Sequence, residues 1–244
     1  MKVVACYAIK GGVGKTSTAV NLAYLAAAEG RRTLLWDLDP QGAATYLFRV
    51  KPKVKGGGEA LVERRRPLED SIKATDFDGL DLLPADFSYR NMDLALDATK
   101  KPTERISRLL QPLADDYDVV VLDCPPSVSL LSESVVRAAD VIVVPIVPSA
   151  LSLRTFDQML EHLVAPSKSN PRIVGFFSMV DRRKRQHREV VASLPSQRPQ
   201  VSALVVPAAT IVESMGLERA PVEAYAPRSV AAQAYRDLWQ LIGV

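Results

Sequence analysis

The chain has 244 residues, 48% of them hydrophobic, with a formal charge of +3. That is ample apolar material for a core and excludes a highly charged disordered chain. No window approaches the roughly 18 apolar residues of a membrane span, and so small a net charge identifies no polyanionic partner by itself.

The run Met1-Lys2-Val3-Val4-Ala5-Cys6 enters a strand directly, so no secretory leader is expected. The apolar segment Val3 to Ile9 leads into Lys10-Gly11-Gly12-Val13-Gly14-Lys15-Thr16, and Ser17 to Ala28 predicts a helix. A strand, a glycine turn and a helix start follow in the order that a phosphate-binding loop requires. Glycines at 11, 12 and 14 permit backbone angles that turn successive N–H groups toward phosphate oxygens at the positive end of the helix. Lys15 then reaches the β- and γ-phosphates, and the Thr16 hydroxyl holds Mg²⁺. Val13 and Ser17 complete the loop. Lys10 stands where the general pattern requires only glycine.

Thr33 to Leu38 predicts a second strand, ending in Asp37-Leu38-Asp39-Pro40-Gln41. Alternation puts Asp37 and Asp39 on one side of an extended segment, both toward the phosphates. Residues 51–66 hold six Lys/Arg against two Glu. Leu80 to Leu83 is a third strand candidate and 103–114 a helix. Val119 to Leu122 is the apolar run of a buried parallel strand, ending at Asp123, which has the form of a Walker B acid able to bind Mg²⁺ beside Thr16. Cys124-Pro125-Pro126 closes it. Cys6 and Cys124 lie in apolar strand-like segments and are expected to be buried thiols rather than a disulfide or metal site.

Further strands are predicted over Val141 to Val147, Ile173 to Val180 and Ser202 to Val206, with helices over 129–138, 152–164, 184–194 and 229–242. The alternation runs through the chain without a long polar linker. It predicts one α/β domain over 1–244, a doubly wound, mainly parallel sheet with helices on both faces, and no separate N-terminal DNA-binding domain. Residues 182–188 hold five Lys/Arg and no acid. Such a run is either a solvated face or a contact for nucleic-acid phosphates, which Arg228 and Arg236 would join. His162 and His187 have no Cys or His partner nearby in sequence and are expected to be surface or satisfied histidines.

KGGVGKT matches the deviant Walker A motif of the ParA/MinD ATPases residue for residue, Asp37 to Gln41 matches their D-x-D-P-Q run, and Asp123 to Pro126 resembles their D-x-P-P turn. The resemblance implies an ATPase of the P-loop fold using ATP and Mg²⁺. It implies a face-to-face homodimer in which Lys10 contacts the nucleotide held by the other subunit. Asp39 would position the attacking water, Asp37 support the Mg²⁺ shell, and Pro207 lie against adenine near Met179 and Asp181. The chain departs from the pattern at Pro207-Ala208-Ala209-Thr210, where relatives often carry arginine, and at Ala226 and Ala231 in the run Tyr225 to Ala232.

The leading expectation is a ParA-type positioning ATPase of the cytoplasm and nucleoid. Its ATP dimer would bind DNA without sequence preference through Arg182, Arg183, Lys184, Arg185, Arg188 and Arg228, until an adaptor stimulates hydrolysis. A MinD-like membrane ATPase wants a basic amphipathic tail, whereas Trp239 to Ile242 suits a closing core helix. A metal-carrier ATPase wants paired exposed cysteines.

Overall fold

The computed structural model describes residues 1–167 and 169–244. Eight strands form one sheet: β1 (Lys2–Cys6), β2 (Thr33–Asp37), β3 (Lys73–Ala74), β4 (Leu80–Leu83), β5 (Val119–Asp123), β6 (Val141–Ile146), β7 (Arg172–Val180) and β8 (Val201–Pro207). Their order is β3-β4-β2-β5-β1-β6-β7-β8, parallel throughout except that the two-residue β3 runs antiparallel at the edge. β2, β5 and β6 are buried along their whole length, and all but the first residue of β1 is, which is why they read as unbroken apolar runs.

The larger helices are α1 (Lys15–Ala28), α2 (Ala43–Leu47), α3 (Gly57–Val62), α4 (Met92–Asp97), α5 (Arg105–Leu110), α6 (Leu130–Ala138), α7 (Ala150–Met159) and α8 (Arg185–Gln197). After β8 come three short turns, α9 (Thr210–Glu213), α10 (Met215–Glu218) and α11 (Val222–Tyr225), and the closing helix α12 (Val230–Ile242). Two apolar cores form, one on each face of the sheet. Leu61, Leu96, Ile106, Val135, Phe156 and Leu194 bring α3 to α8 onto one face. Leu22, Ala44, Met215, Val222, Leu238 and Trp239 bring α1, α2 and the C-terminal helices onto the other. Burying the Trp239 and Ile242 side chains makes α12 a wall of this second core, as its pattern predicted.

Helix ends follow local chemistry. Gly30, at φ +82°, stops α1 because a left-handed residue there lets Gly30 and Arg31 donate back to the Ala27 and Ala26 carbonyls. Ser149 caps α7 by accepting from the Ser152 N–H, so that helix begins two residues earlier than predicted. The helix predicted over 103–114 is broken into α5 and two flanking 3₁₀ turns, Pro102–Glu104 and Gln111–Asp115. Pro112 explains the second break, since it has no N–H to donate and its ring crowds the preceding turn. Residues 51–66, expected only as a charged run, contain α3.

β1 sits between β5 and β6, where the chain reverses its direction across the sheet, and the loop after it opens at the carboxyl edge. Ligands collect at such a switch point. Strand register aligns Asp123 with both Asp37 and Cys6, so the two expected acids share one edge with a buried thiol.

Candidate functional site

At that edge lies a cleft of about 350 Å³. Its floor is the loop from Gly11 to Ser17. Gly12 and Gly14 take φ of +67° and +95°, and a Cβ at Gly14 would come within 3.0 Å of the Ser178 Oγ. Both conformation and close approach therefore require glycine at 14. The Thr18 hydroxyl donates to the Gly14 carbonyl at 2.7 Å and ties the loop to the first turn of α1. Lys15 is buried with its Nζ donating to the Lys10 carbonyl at 3.3 Å. Burial pulls its pKa down, while the charge of Asp123 acts the other way. A buried ammonium among free N–H groups is complementary to phosphate.

The three acids are held differently. Asp123, at the end of β5, is fully buried and neither carboxylate oxygen has a hydrogen-bond partner among the described residues. Burial and then the charge of Asp37 push its pKa well above the usual carboxylate range, with the Thr16 hydroxyl and Lys15 opposing. An orphaned pair of buried oxygens beside a threonine hydroxyl is a hard donor set suited to Mg²⁺. No group of three or more His, Cys, Asp or Glu able to hold a metal occurs among the described residues. Nucleotide phosphates and water would have to supply the other ligands, as is usual for this ion.

Asp37 does not share Asp39's surroundings, contrary to the alternation argument. β2 ends at Asp37 and the chain turns, so the side-chain period of a strand no longer applies. The Asp37 Oδ2 accepts from the Thr45 N–H at 2.8 Å and hydroxyl at 2.7 Å, and its Oδ1 accepts from the Asp39 N–H at 3.2 Å. Burial pushes its pKa up to about 6, against the pull of those bonds. Asp39 lines the cleft, with its Oδ1 accepting from the Gln41 N–H at 2.9 Å. Asp37 thus braces the turn, and Asp39 faces the ligand space.

The far wall of the cleft is mostly apolar: Met179, Val206, Pro207, Ala208, Ala209 and Val212. Pro207 and Met179 are there as expected. Asp181 is not; it lies in an adjoining cleft of about 310 Å³ with Lys10, Lys184 and His187. Ser178, Glu213 and Tyr235 also line the nucleotide-sized cleft and escaped the sequence reading. Ser178 and Tyr235 lie within ordinary strand and helix patterns, so no local signal marks them.

Lys10 does not line its own chain's cleft. Its Nζ donates instead to the Ser152 Oγ on α7 at 3.2 Å. Arg182, Arg183, Lys184, Arg185 and Arg188 are all exposed around the start of α8. Arg183 pairs with Asp181 at 2.9 Å and Arg185 with Glu189 at 2.6 Å, while Arg188 donates to the Arg182 and Arg183 carbonyls. His187 is buried and its Nδ1 accepts from the Asp181 N–H, a satisfied histidine; His162 lies at the surface beside Glu161. Arg228 is exposed, whereas Arg236 is committed to Glu223 and the Pro227 carbonyl. Both cysteines are free and buried.

Comparison with known proteins bears on the family and the fold. A family profile described as an AAA domain matches residues 1–173. Soj of Bacillus subtilis strain 168, a sporulation initiation inhibitor, is 32% identical over 243 residues, covering 97% of this chain and 96% of its own. The solved structure of apo McdA from Cyanothece superposes with a TM-score of 0.82 over all of both chains at 19% identity, a likeness of fold. Cobyrinic acid a,c-diamide synthase from Mycobacterium smegmatis, solved with an ATP analogue and magnesium, superposes with a TM-score of 0.79 at 26% identity, over 99% of this chain and 94% of that one.

Proposed function

The chain belongs to the ParA/MinD family of P-loop ATPases, and from that premise we propose that it is a ParA-type positioning ATPase. Members hydrolyse ATP with Mg²⁺. In the proposed cycle the ATP-bound chain pairs face to face with a second copy, holds DNA through phosphate contacts, and is released when an adaptor protein stimulates hydrolysis. Its place would be the cytoplasm and nucleoid, and its cargo whatever the adaptor carries. Full-length similarity to Soj supports this reading over the biosynthetic one that the synthase's fold also allows.

The chemistry asks little covalent help from the protein. The loop N–H groups and Lys15 hold the phosphates where charge develops, which lowers the barrier by positioning and electrostatics. Asp39, held by Gln41 at the cleft wall, orients the attacking water and accepts its hydrogen bond. Bound through Thr16 and Asp123, Mg²⁺ would neutralise phosphate charge. Asp37 keeps the Asp39 turn in place through Thr45. DNA contact is assigned to the cluster at the start of α8 with Arg228, and it should be non-specific and steep in salt.

The observation that carries the dimer is the placement of Lys10. A cation outside its own cleft is useful to phosphate only across an interface, as an arginine finger is in trans. Lys10→Ala is expected to keep monomeric ATP binding and lose the dimer formed with a slowly hydrolysed analogue, together with hydrolysis and DNA retention. Size-exclusion chromatography with light scattering reads this directly. A variant that dimerises and turns over normally would remove the reading's main support. The membrane alternative fares less well, because α12 spends its apolar face on the core; no described helix is long and apolar enough to cross a membrane.

A further inference from the structure

A second cleft, of about 590 Å³, shares no residue with the nucleotide cleft. It is bounded by the end of α3, the segment after α4 and the exposed side of α5. Arg65, Lys100, Lys101, Arg105 and Arg108 line it against one acid, Glu63. Three of these cations are used by the chain itself: Arg65 pairs with Glu59 and Glu63, and Lys101 and Arg108 both pair with Glu104.

Arg105 and Lys100 have no such partner among the described residues. Arg105 is the more telling. Its Nε is shut off from solvent with no hydrogen-bond acceptor, and its terminal amines donate to no protein atom among the described residues. Burial lowers its pKa, and repulsion from Arg64 and Arg108 adds to the effect. A native chain rarely leaves a buried guanidinium donor empty, since an unmade charged hydrogen bond costs more than a neutral one. Beside it, Arg64 sits at φ +61°, ending α3 where glycine is usual: Arg64 and Arg65 donate back to the Leu61 and Ala60 carbonyls. Two other arginines take left-handed angles, and their side chains are occupied, Arg49 by Asp76 and Arg219 by the Tyr46 ring and carbonyl. Arg64 has no ion pair or side-chain hydrogen bond among the described residues, but it lines a neighbouring groove with Arg66 and Glu69 and acts on this cleft only through its charge beside Arg105.

Arg105 and Arg108, two guanidiniums that repel each other on one wall of the cleft, with the unpaired Lys100 facing them, are complementary to an anion with several oxygens and more charge than one carboxylate. We propose that this cleft is a phosphate-binding site in which the terminal amines of Arg105 and the ammonium of Lys100 take the oxygens of a phosphate group. Phosphodiesters of DNA and a free phosphate compound share that chemistry. The site is separate from the phosphate loop, so occupancy does not require ATP.

Inorganic tripolyphosphate titrated into the full chain saturated with Mg-ADP, followed by calorimetry, tests it. The wild type should bind one equivalent, and Arg105→Gln should weaken that binding at least tenfold with nucleotide affinity unchanged. Arg105→Lys, which keeps charge but loses the fork, should fall between. Should Arg105→Gln fail to fold, Lys100→Gln at an exposed position carries the same comparison. A second arm, which alone rests on the nucleic-acid reading, measures the salt dependence of binding to non-specific duplex with a slowly hydrolysed ATP analogue. A slope shallower in the same variants, by about one for each phosphate no longer neutralised, identifies the source as DNA. Loss of tripolyphosphate binding with an unchanged slope, or with no duplex binding by the wild type, identifies a free phosphate compound. Absence of tripolyphosphate binding by the wild type, or equal binding by the variants, overturns the proposal.

Discussion

The phosphate side and the far wall of the nucleotide cleft are built by different means. On the phosphate side several polar groups are fixed by a neighbour close in sequence: Thr18 on Gly14, Lys15 on Lys10, Gln41 on Asp39, Thr45 on Asp37. The far wall takes its residues from two strand ends and a short helix, where β7 and β8 lose regular register and Met179 adopts φ +55°. One side is a motif, the other an accident of packing. A charged ligand group needs donors at set places, whereas a flat base needs only apolar surface.

That contrast predicts unequal sensitivity. Lys15→Ala should lower ATP affinity by about a hundredfold or more, since truncating one partner of a desolvated ionic contact costs roughly 2–5 kcal/mol. Val212→Ala on the far wall should lower it only about fivefold, the value of roughly 1 kcal/mol of lost apolar burial. Equilibrium binding of a fluorescent ATP analogue compares the two, and equal losses would dissolve the distinction. Within the phosphate side, Asp39→Ala should separate chemistry from binding. Turnover should fall about a hundredfold, in the range for a group that handles a proton at the reacting water, while ATP affinity stays near wild type. Single-turnover hydrolysis with bound nucleotide checks it, and unchanged turnover would remove Asp39 from the mechanism.

The same contrast explains what could be read beforehand. The succession of strands along the chain, apart from the two-residue β3, together with the loop and the positions of Asp39 and Asp123 near strand exits, was legible because each depends on a short run: apolar strand, glycine turn, acid at the exit. Ser178 on β7, Glu213 on α9 and Tyr235 on α12 were not, since elements far from the loop in sequence carry them to the cleft, a matter of distant packing. Asp37 shows the limit within a motif. Period-two alternation holds only while the strand continues, and β2 ends at that residue. Its buried carboxylate makes a measurable signature. With a folded pKa of about 6 against 3.8 unfolded, its charged form is disfavoured by folding. The penalty is complete above pH 6 and is relieved as pH falls toward 4. Nucleotide-free protein should therefore gain stability from this group across that window, with the neighbouring Asp123 coupled to it, and Asp37→Asn should lessen the rise in thermal midpoint. A variant with the wild-type pH profile would place Asp37's charge in a better solvated setting.

The smallest expected effect concerns the one polar group of the phosphate loop that its own cleft does not use. Lys10 is held by Ser152, itself buried and in hydrogen-bond contact with Ser149 at 3.0 Å. Since Ser149 caps α7 through the Ser152 backbone N–H, Ser152→Ala leaves that cap in place. What the substitution removes is a bond present in the monomer, and under the proposed cycle it must be broken before Lys10 can reach a second copy's nucleotide. Removing about 0.5 kcal/mol from each of the two monomers, the lower end for such a bond, should strengthen dimerisation with a slowly hydrolysed analogue about fivefold. The concentration at half-dimer, read by light scattering, gives the number. Dimerisation left unchanged or weakened by Ser152→Ala would mean that Ser152 does not restrain Lys10, and the two sides of the loop would then be equally independent of α7.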